Sequence, residues 1–394
     1  MEAAYIVDAV RTPVGRAPRG VFSATRPDDL LVHALRELLA RNPGLDPAAV
    51  GDVICGCAMP EAEQGLNVAR IALLLAGLPE SVPGVTVNRF CASGLEAVAI
   101  AADRVAGGQI DVAIACGVES MSLVPMGGHR PAYNLRIFQD EAEAIAYGMG
   151  ITAEIVAERF GVDREAQDAF ALESHRRALA AQEAGEFADE LLPFEVERTR
   201  PDPEAARIVR ERRLVDRDEG PRPDTSLEAL GRLKPVFAAQ GTVTAGNSSQ
   251  RSDGAAAVLV AGERGLKRFG LEPRARFLGY AVAGVAPEIM GVGPVAAVPR
   301  VLERVGWTLE QLDWIELNEA FAAQSLAVIR ELGLDLERVN PLGGAIALGH
   351  PLGATGAIRA ATLVHGLRRR RLRRGMVTMC VGTGMGAAGV FEAV

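Results

Sequence analysis

The sequence predicts an α/β protein made of two topologically similar halves packed as a layered sandwich, with buried central helices and one inserted segment. Three observations predict it. Glycine-rich alternation of short strands and helices runs along both ends of the chain. The stretch Cys91-Ala92-Ser93-Gly94-Leu95 returns as Gly353-Ala354-Thr355-Gly356-Ala357. Each copy begins a helix without a polar face: Glu96 is the only charge from Ala92 to Ala102, and Arg359 the only one from Ala354 to Leu367. Helices apolar nearly all round belong inside a protein, and small residues let two of them approach closely.

The repeat extends beyond those helices. The turn leading to Ala49-Val50-Gly51-Asp52-Val53-Ile54 matches the one leading to Gln311-Leu312-Asp313-Trp314-Ile315, and the two valine/leucine positions keep the spacing of Ser93 to Thr355. Downstream, the strand ending Ala113-Ile114-Ala115-Cys116 matches Val377-Thr378-Met379-Cys380 at nearly the same spacing. Three elements in one order imply two related halves, each with its own sheet and helices. Residues 1–265 form the first half and 273–394 the second. The stretch at about 120–245 has no counterpart in the second half and reads as an inserted lid or ligand-binding subdomain. In it, Gly161-Val162-Asp163 caps a charged helix from Arg164 to Ala184, and Glu197 to Arg222 reads as irregular and exposed.

Composition removes several function classes. With 394 residues, 49% hydrophobic and 23% charged, the chain is a cored protein of more than one unit. Apolar runs such as Ile71–Leu78 stop far short of the ~20 residues that span a bilayer. No basic stretch precedes an apolar one at the start, and the five cysteines form no disulfide framework, so a cytoplasmic setting with reduced thiols is expected. A net charge of −8 argues against nucleic acid as a partner. No Cys-x-x-Cys or His-Glu-x-x-His occurs, so no metal site is expected. The arginine block Arg368–Arg374 reads as a solvated helix end before the strand Met376–Cys380.

The chemistry-bearing residues cluster at the repeated elements. Cys91 follows the strand and turn Val85 to Phe90 and opens a buried helix, where unpaired amides and the dipole favour a thiolate. It reads as a nucleophile or as a small buried hydrophobe. His350, among glycines and beside Pro351, precedes the equivalent helix and should face the same region; it is a base, or a histidine satisfied by backbone carbonyls. Cys380 closes a strand and enters Val381-Gly382-Thr383-Gly384-Met385-Gly386, whose glycines let a ligand approach the backbone. That segment lacks the strand–turn–helix context of a dinucleotide site. Asn318, in Asn318-Glu319-Ala320-Phe321-Ala322, ends another strand and can hold a water.

Taken together, these segments resemble the thiolase family over essentially the whole chain. The matching stretches are Val87 to Gly94, Gly117-Val118-Glu119-Ser120-Met121-Ser122, Ala245-Gly246-Asn247-Ser248-Ser249, Asn318-Glu319-Ala320-Phe321, Gly349-His350-Pro351 and Cys380 to Gly386. The resemblance implies a thiolase-like fold and Claisen-type exchange on coenzyme A thioesters. It implies Cys91 as nucleophile, His350 as its base and Cys380 as the acid–base group. His350 and a water on Asn318 would hold the enolate oxygen, and the amides of Cys91 and Gly382 the tetrahedral oxygen. It places Arg222 near the adenine nucleotide and Ser249 at the pantetheine of coenzyme A, which serves as co-substrate; no cofactor is bound permanently. A homodimer or homotetramer without membrane insertion is expected.

Gly148 stands where biosynthetic acetoacetyl-CoA thiolases often carry a histidine, and Asn247-Ser248-Ser249-Gln250 and Asn340-Pro341-Leu342-Gly343-Gly344 look like the degradative branch. The expected activity is therefore acetyl-CoA C-acyltransferase in fatty-acid β-oxidation, with acetyl-CoA C-acetyltransferase of biosynthetic type as the alternative. A decarboxylating ketoacyl synthase fits poorly because of Cys380, and a non-catalytic lipid carrier would not retain all four groups.

Overall fold

In the computed structural model the chain is described over residues 2–139, 142–202, 204 and 206–394. The strands are β1 (Ala4–Arg11), β2 (Gly15–Arg16), β3 (Asp52–Gly56), β4 (Gly84–Val87), β5 (Val112–Ser120), β6 (Phe194–Asp202), β7 (Arg207–Val215), β8 (Ser252–Ala261), β9 (Ala275–Gly284), β10 (Trp314–Leu317), β11 (Arg374–Val381) and β12 (Met385–Ala393). All but β6 and β7 join one sheet in the order β10-β11-β12-β9-β1-β8-β5-β3-β4, with β2 on β8.

The repeat is visible in the ladder. In the first half β3 pairs in parallel with β4 and β5, while β8 is antiparallel to β5 and β1. In the second, β10 pairs in parallel with β11 and with an isolated bridge at Val339, while β12 is antiparallel to β11 and β9. The halves do not keep separate sheets as the sequence suggested. β1 and β9, each an edge of its half, pair through Ala4–Phe277, Tyr5–Arg276 and Ile6–Ala275. Pairing satisfies backbone groups that a free edge would leave open.

Between the two half-sheets lie the helices Ser93–Ala106 and Leu352–Arg369, and every residue from Leu352 to Leu367 is buried. They meet through small residues: a Cβ on Gly94 would lie 2.7 Å from the Ala357 nitrogen. Arg359 is 2% exposed and is offset by Glu316 at 3.3 Å. Strand alternation then sorts side chains into layers. Ala113 and Ala115 of β5 and Ala256, Val258 and Val260 of β8 face the central helices. Ile114, Cys116, Val118, Ala257 and Leu259 face the outer helix Pro27–Arg41. In β1 the alternation slips, with Ile6 and Ala9 both inward, because a bulge lies between Ile6 and Asp8.

The segment between β5 and β8 carries the helices Met149–Arg159 and Arg164–Glu183. Asp163 caps the latter, accepting from the Ala166 amide at 2.7 Å. The sequence reading of Glu197 to Arg222 as irregular is wrong over much of its length: β6 and β7 form an antiparallel hairpin. Opposite charges face each other at Glu197–Arg212, Arg198–Glu211 and Asp202–Arg207, and Arg212 lies 3.2 Å from Glu197 and 3.6 Å from Glu195. The arginine block is anchored too. Arg369 pairs with Glu186 at 2.9 Å, Arg370 stacks on Trp314, and Arg374 stacks on Trp307.

Candidate active site

Two short polar side chains shape the turn that presents Cys91. Asn88 Oδ1 accepts from the Phe90 amide at 2.8 Å, and Ser93 Oγ accepts from the Arg89 amide at 2.8 Å while donating to Phe90 O at 2.7 Å. These bonds hold Phe90 at φ +44°. Cys91 therefore sits in a 3₁₀ turn, Phe90–Ala92, immediately ahead of the buried helix rather than as its first residue.

The position does not yield the resting thiolate expected from the sequence. Cys91 is 8% exposed, and burial pushes its thiol up to about 12. The nearby backbone amides of Gly382 and of Cys91 itself oppose that rise, but desolvation wins. Cys380, fully buried, is likewise raised well above an ordinary thiol, first by desolvation and then by the neighbouring Cys91. Both thiols hold their protons at rest.

His350 is held from three sides. Its amide donates to Ser252 Oγ at 3.0 Å and Gln250 O at 3.2 Å. Its Nδ1 lies 2.7 Å from Thr355 Oγ1, and its Nε2 3.3 Å from Asn318 Nδ2. Burial lowers the imidazole to about 3, with Arg359 adding to the effect, so the ring is neutral. Gly349, at φ +96°, is required because a Cβ there would meet Ser252 Oγ at 2.5 Å. Asn318 follows β10, and its amide donates to Thr378 O of β11 at 2.9 Å. Its Oδ1 is buried without a partner among the described residues, an acceptor left for a water or substrate group.

Cys91, His350, Cys380 and Ser249 line one cavity of about 750 Å³, together with Met149, Phe237 and Phe321. A second cavity of about 460 Å³ meets the first at Cys91 and is lined by Phe90, Tyr133, Tyr147 and Gly382. Arg222 is not in either. It is exposed in a side cavity of about 260 Å³ with His175 and Asp224, which shares Arg16, Ala245 and Gln250 with the main one. Among the described residues no group of His, Cys, Asp and Glu is arranged to hold a metal.

Two residues of the site were not singled out from the sequence. Thr355 served there only to mark the repeat. Glu119 is fully buried, and its carboxylate accepts from the amides of Ala58 and Gly353, both at 2.8 Å, and of Met59 at 3.2 Å. It thereby ties the first half to the start of the helix that follows His350. A glutamate ending the otherwise uncharged strand Val112–Ser120 is the signal that could have found it.

The fold and the paired thiols define a class. The thiolase N-terminal domain matches residues 4–264 and the thiolase C-terminal domain residues 271–393, and the chain belongs to the thiolase family of acyltransferases. It is 50% identical over 392 residues to a 3-ketoacyl-CoA thiolase of Bacillus subtilis, covering 100% of both chains. It is 51% identical over 408 residues to a β-ketoadipyl-CoA thiolase of Pseudomonas aeruginosa, covering 99% of both. Among solved structures, human mitochondrial 3-ketoacyl-CoA thiolase is similar at a TM-score of 0.89 and 36% identity, covering 100% of this chain and 99% of that one.

Proposed function

We propose that this chain is an acetyl-CoA C-acyltransferase, cleaving a 3-ketoacyl-CoA with coenzyme A to acetyl-CoA and a shortened acyl-CoA. The observation that carries the reading is the convergence of Cys91, neutral His350 and protonated Cys380 on one cavity.

His350 Nε2 takes the Cys91 proton as the sulfur attacks the 3-keto carbon. The oxyanion so formed meets the amides of Cys91 and Gly382, which lie beside the sulfur. Collapse breaks the carbon–carbon bond and leaves acyl-Cys91 and the acetyl-CoA enolate. The enolate oxygen is held by protonated His350 and a water on Asn318 Oδ1, and its carbon takes the Cys380 proton. Coenzyme A then gives its thiol proton to Cys380 and attacks the thioester, and His350 returns its proton to Cys91. Protons balance over the cycle, and no cofactor is consumed.

Ser249 would meet the pantetheine, and Arg222 with Arg16 the nucleotide phosphates, in the cavity chain running away from Cys91. A homodimer or homotetramer is supported by the half-buried edge strand β4 beside the exposed Leu66, Leu74 and Leu75. No described helix is long and apolar enough to cross a membrane, and a cytoplasmic place in fatty-acid β-oxidation fits the free, buried cysteines. The test is coenzyme A-dependent loss of the 3-ketoacyl-CoA enolate absorbance across acyl chain lengths. Absence of turnover with every chain length would overturn the reading.

A further inference from the structure

Relatives at near-equal identity are named for different substrates, one for 3-ketoacyl-CoA in general and one for β-ketoadipyl-CoA, whose acyl group ends in a carboxylate. The two cavities that meet at Cys91 differ in charge. The larger, with its side lobe, is lined by Arg16, Arg222 and Arg251. The smaller has no arginine, lysine, histidine or acid among the described residues that line it. Its wall is Pro131, Ile145, Ala146, Tyr147, Met149 and Leu352.

Coenzyme A carries phosphates and belongs where the cations are. A substrate oriented that way, with its 3-keto carbon at Cys91, sends the far end of its acyl chain into the uncharged cavity. A carboxylate there would lose part of its water against an apolar wall, with no countercharge among the described lining residues and only the hydroxyls of Tyr133, Tyr147 and Thr383 to offset the loss.

We propose that this enzyme selects 3-ketoacyl-CoA substrates with neutral aliphatic acyl ends and rejects those ending in a carboxylate, through the cavity between Phe90 and Tyr147, whose described lining carries no charged side chain. The assignment rests on the thiolase activity proposed above. It is tested with 3-oxohexanoyl-CoA and 3-oxoadipyl-CoA, which have equal acyl lengths and differ only in a terminal methyl or carboxylate. Acetoacetyl-CoA, with only a methyl group beyond its 3-keto carbon, reports the parent activity.

The expected kcat/KM is higher for 3-oxohexanoyl-CoA by at least about 100-fold, the scale on which an unmatched polar group is discriminated in an apolar pocket. Ile145→Arg, a half-exposed wall position, should lower that ratio by at least about tenfold by supplying a countercharge. Two results would overturn the proposal while acetoacetyl-CoA is still cleaved: a wild-type ratio within about threefold of unity, or a ratio unmoved by Ile145→Arg. Failure of a folded protein to cleave both acetoacetyl-CoA and 3-oxohexanoyl-CoA would overturn the thiolase reading itself, and this assignment with it.

Discussion

His350 Nδ1 lies 2.7 Å from Thr355 Oγ1, and that hydroxyl spends its own proton on Pro351 O at 3.0 Å. The hydroxyl can then only accept from the ring, so Nδ1 carries the hydrogen and Nε2 the lone pair. The Nε2 side agrees, since the Asn318 amide donates to it at 3.3 Å. One threonine thus fixes which nitrogen can take the proton of Cys91.

Thr355→Val should therefore lower the rate of Cys91 acylation by about 10- to 100-fold, the usual cost of losing the group that orients a histidine. Thr355→Ser, which keeps the hydroxyl, should restore most of it. Single-turnover acylation measures both. Equal rates in Thr355→Val and wild type would remove the tautomer argument.

The pH profile follows from the neutral ring. A base works unprotonated, and burial lowers His350 from 6.5 to about 3. The acylation rate should stay flat as pH falls through 6.5 and decline only well below it. A half-maximal rate near 6.5 would mean that the histidine is solvated in the working enzyme.

Cys380→Ser separates the two thiols. Acylation of Cys91 from a preformed acyl-CoA should persist in part, while proton exchange at the acetyl-CoA methyl and steady-state thiolysis should fall by about 10² to 10⁴. Exchange at the wild-type rate would refute the acid–base role.

The repeat was legible because it consists of small residues whose spacing is set by two helices in contact; Gly94 against Ala357 is that contact. The convergence of Cys91 and His350 followed from the same symmetry. Their ionisation did not, because a chain position tells of a dipole but not of the desolvation that outweighs it at Cys91. The hairpin of β6 and β7 was read as irregular because exposed strands crowded with arginine and glutamate lack the apolar period that marks a strand. Glu119 was invisible as a site residue because its backbone partners lie 61 and 234 residues away, and Thr355 because a threonine inside an apolar helix gives no sign that its hydroxyl faces the ring five residues before it.

Glu119 illustrates the cost of such a hub. Glu119→Ala would leave the buried amides of Ala58, Met59 and Gly353 without an acceptor, at about 1–3 kcal/mol for each group left unpaired. Urea unfolding should show a loss of at least about 2 kcal/mol. An unchanged midpoint and slope would show that water replaces the carboxylate at no cost.

In the proposed reaction Cys91 carries the acyl group. Mixing the protein with a 3-ketoacyl-CoA, quenching, digesting and weighing the peptides by mass spectrometry tests it most directly. One acyl group is expected on the peptide containing Cys91, released by coenzyme A and absent from Cys91→Ala. An adduct confined to Cys380, or turnover by Cys91→Ala, would contradict it.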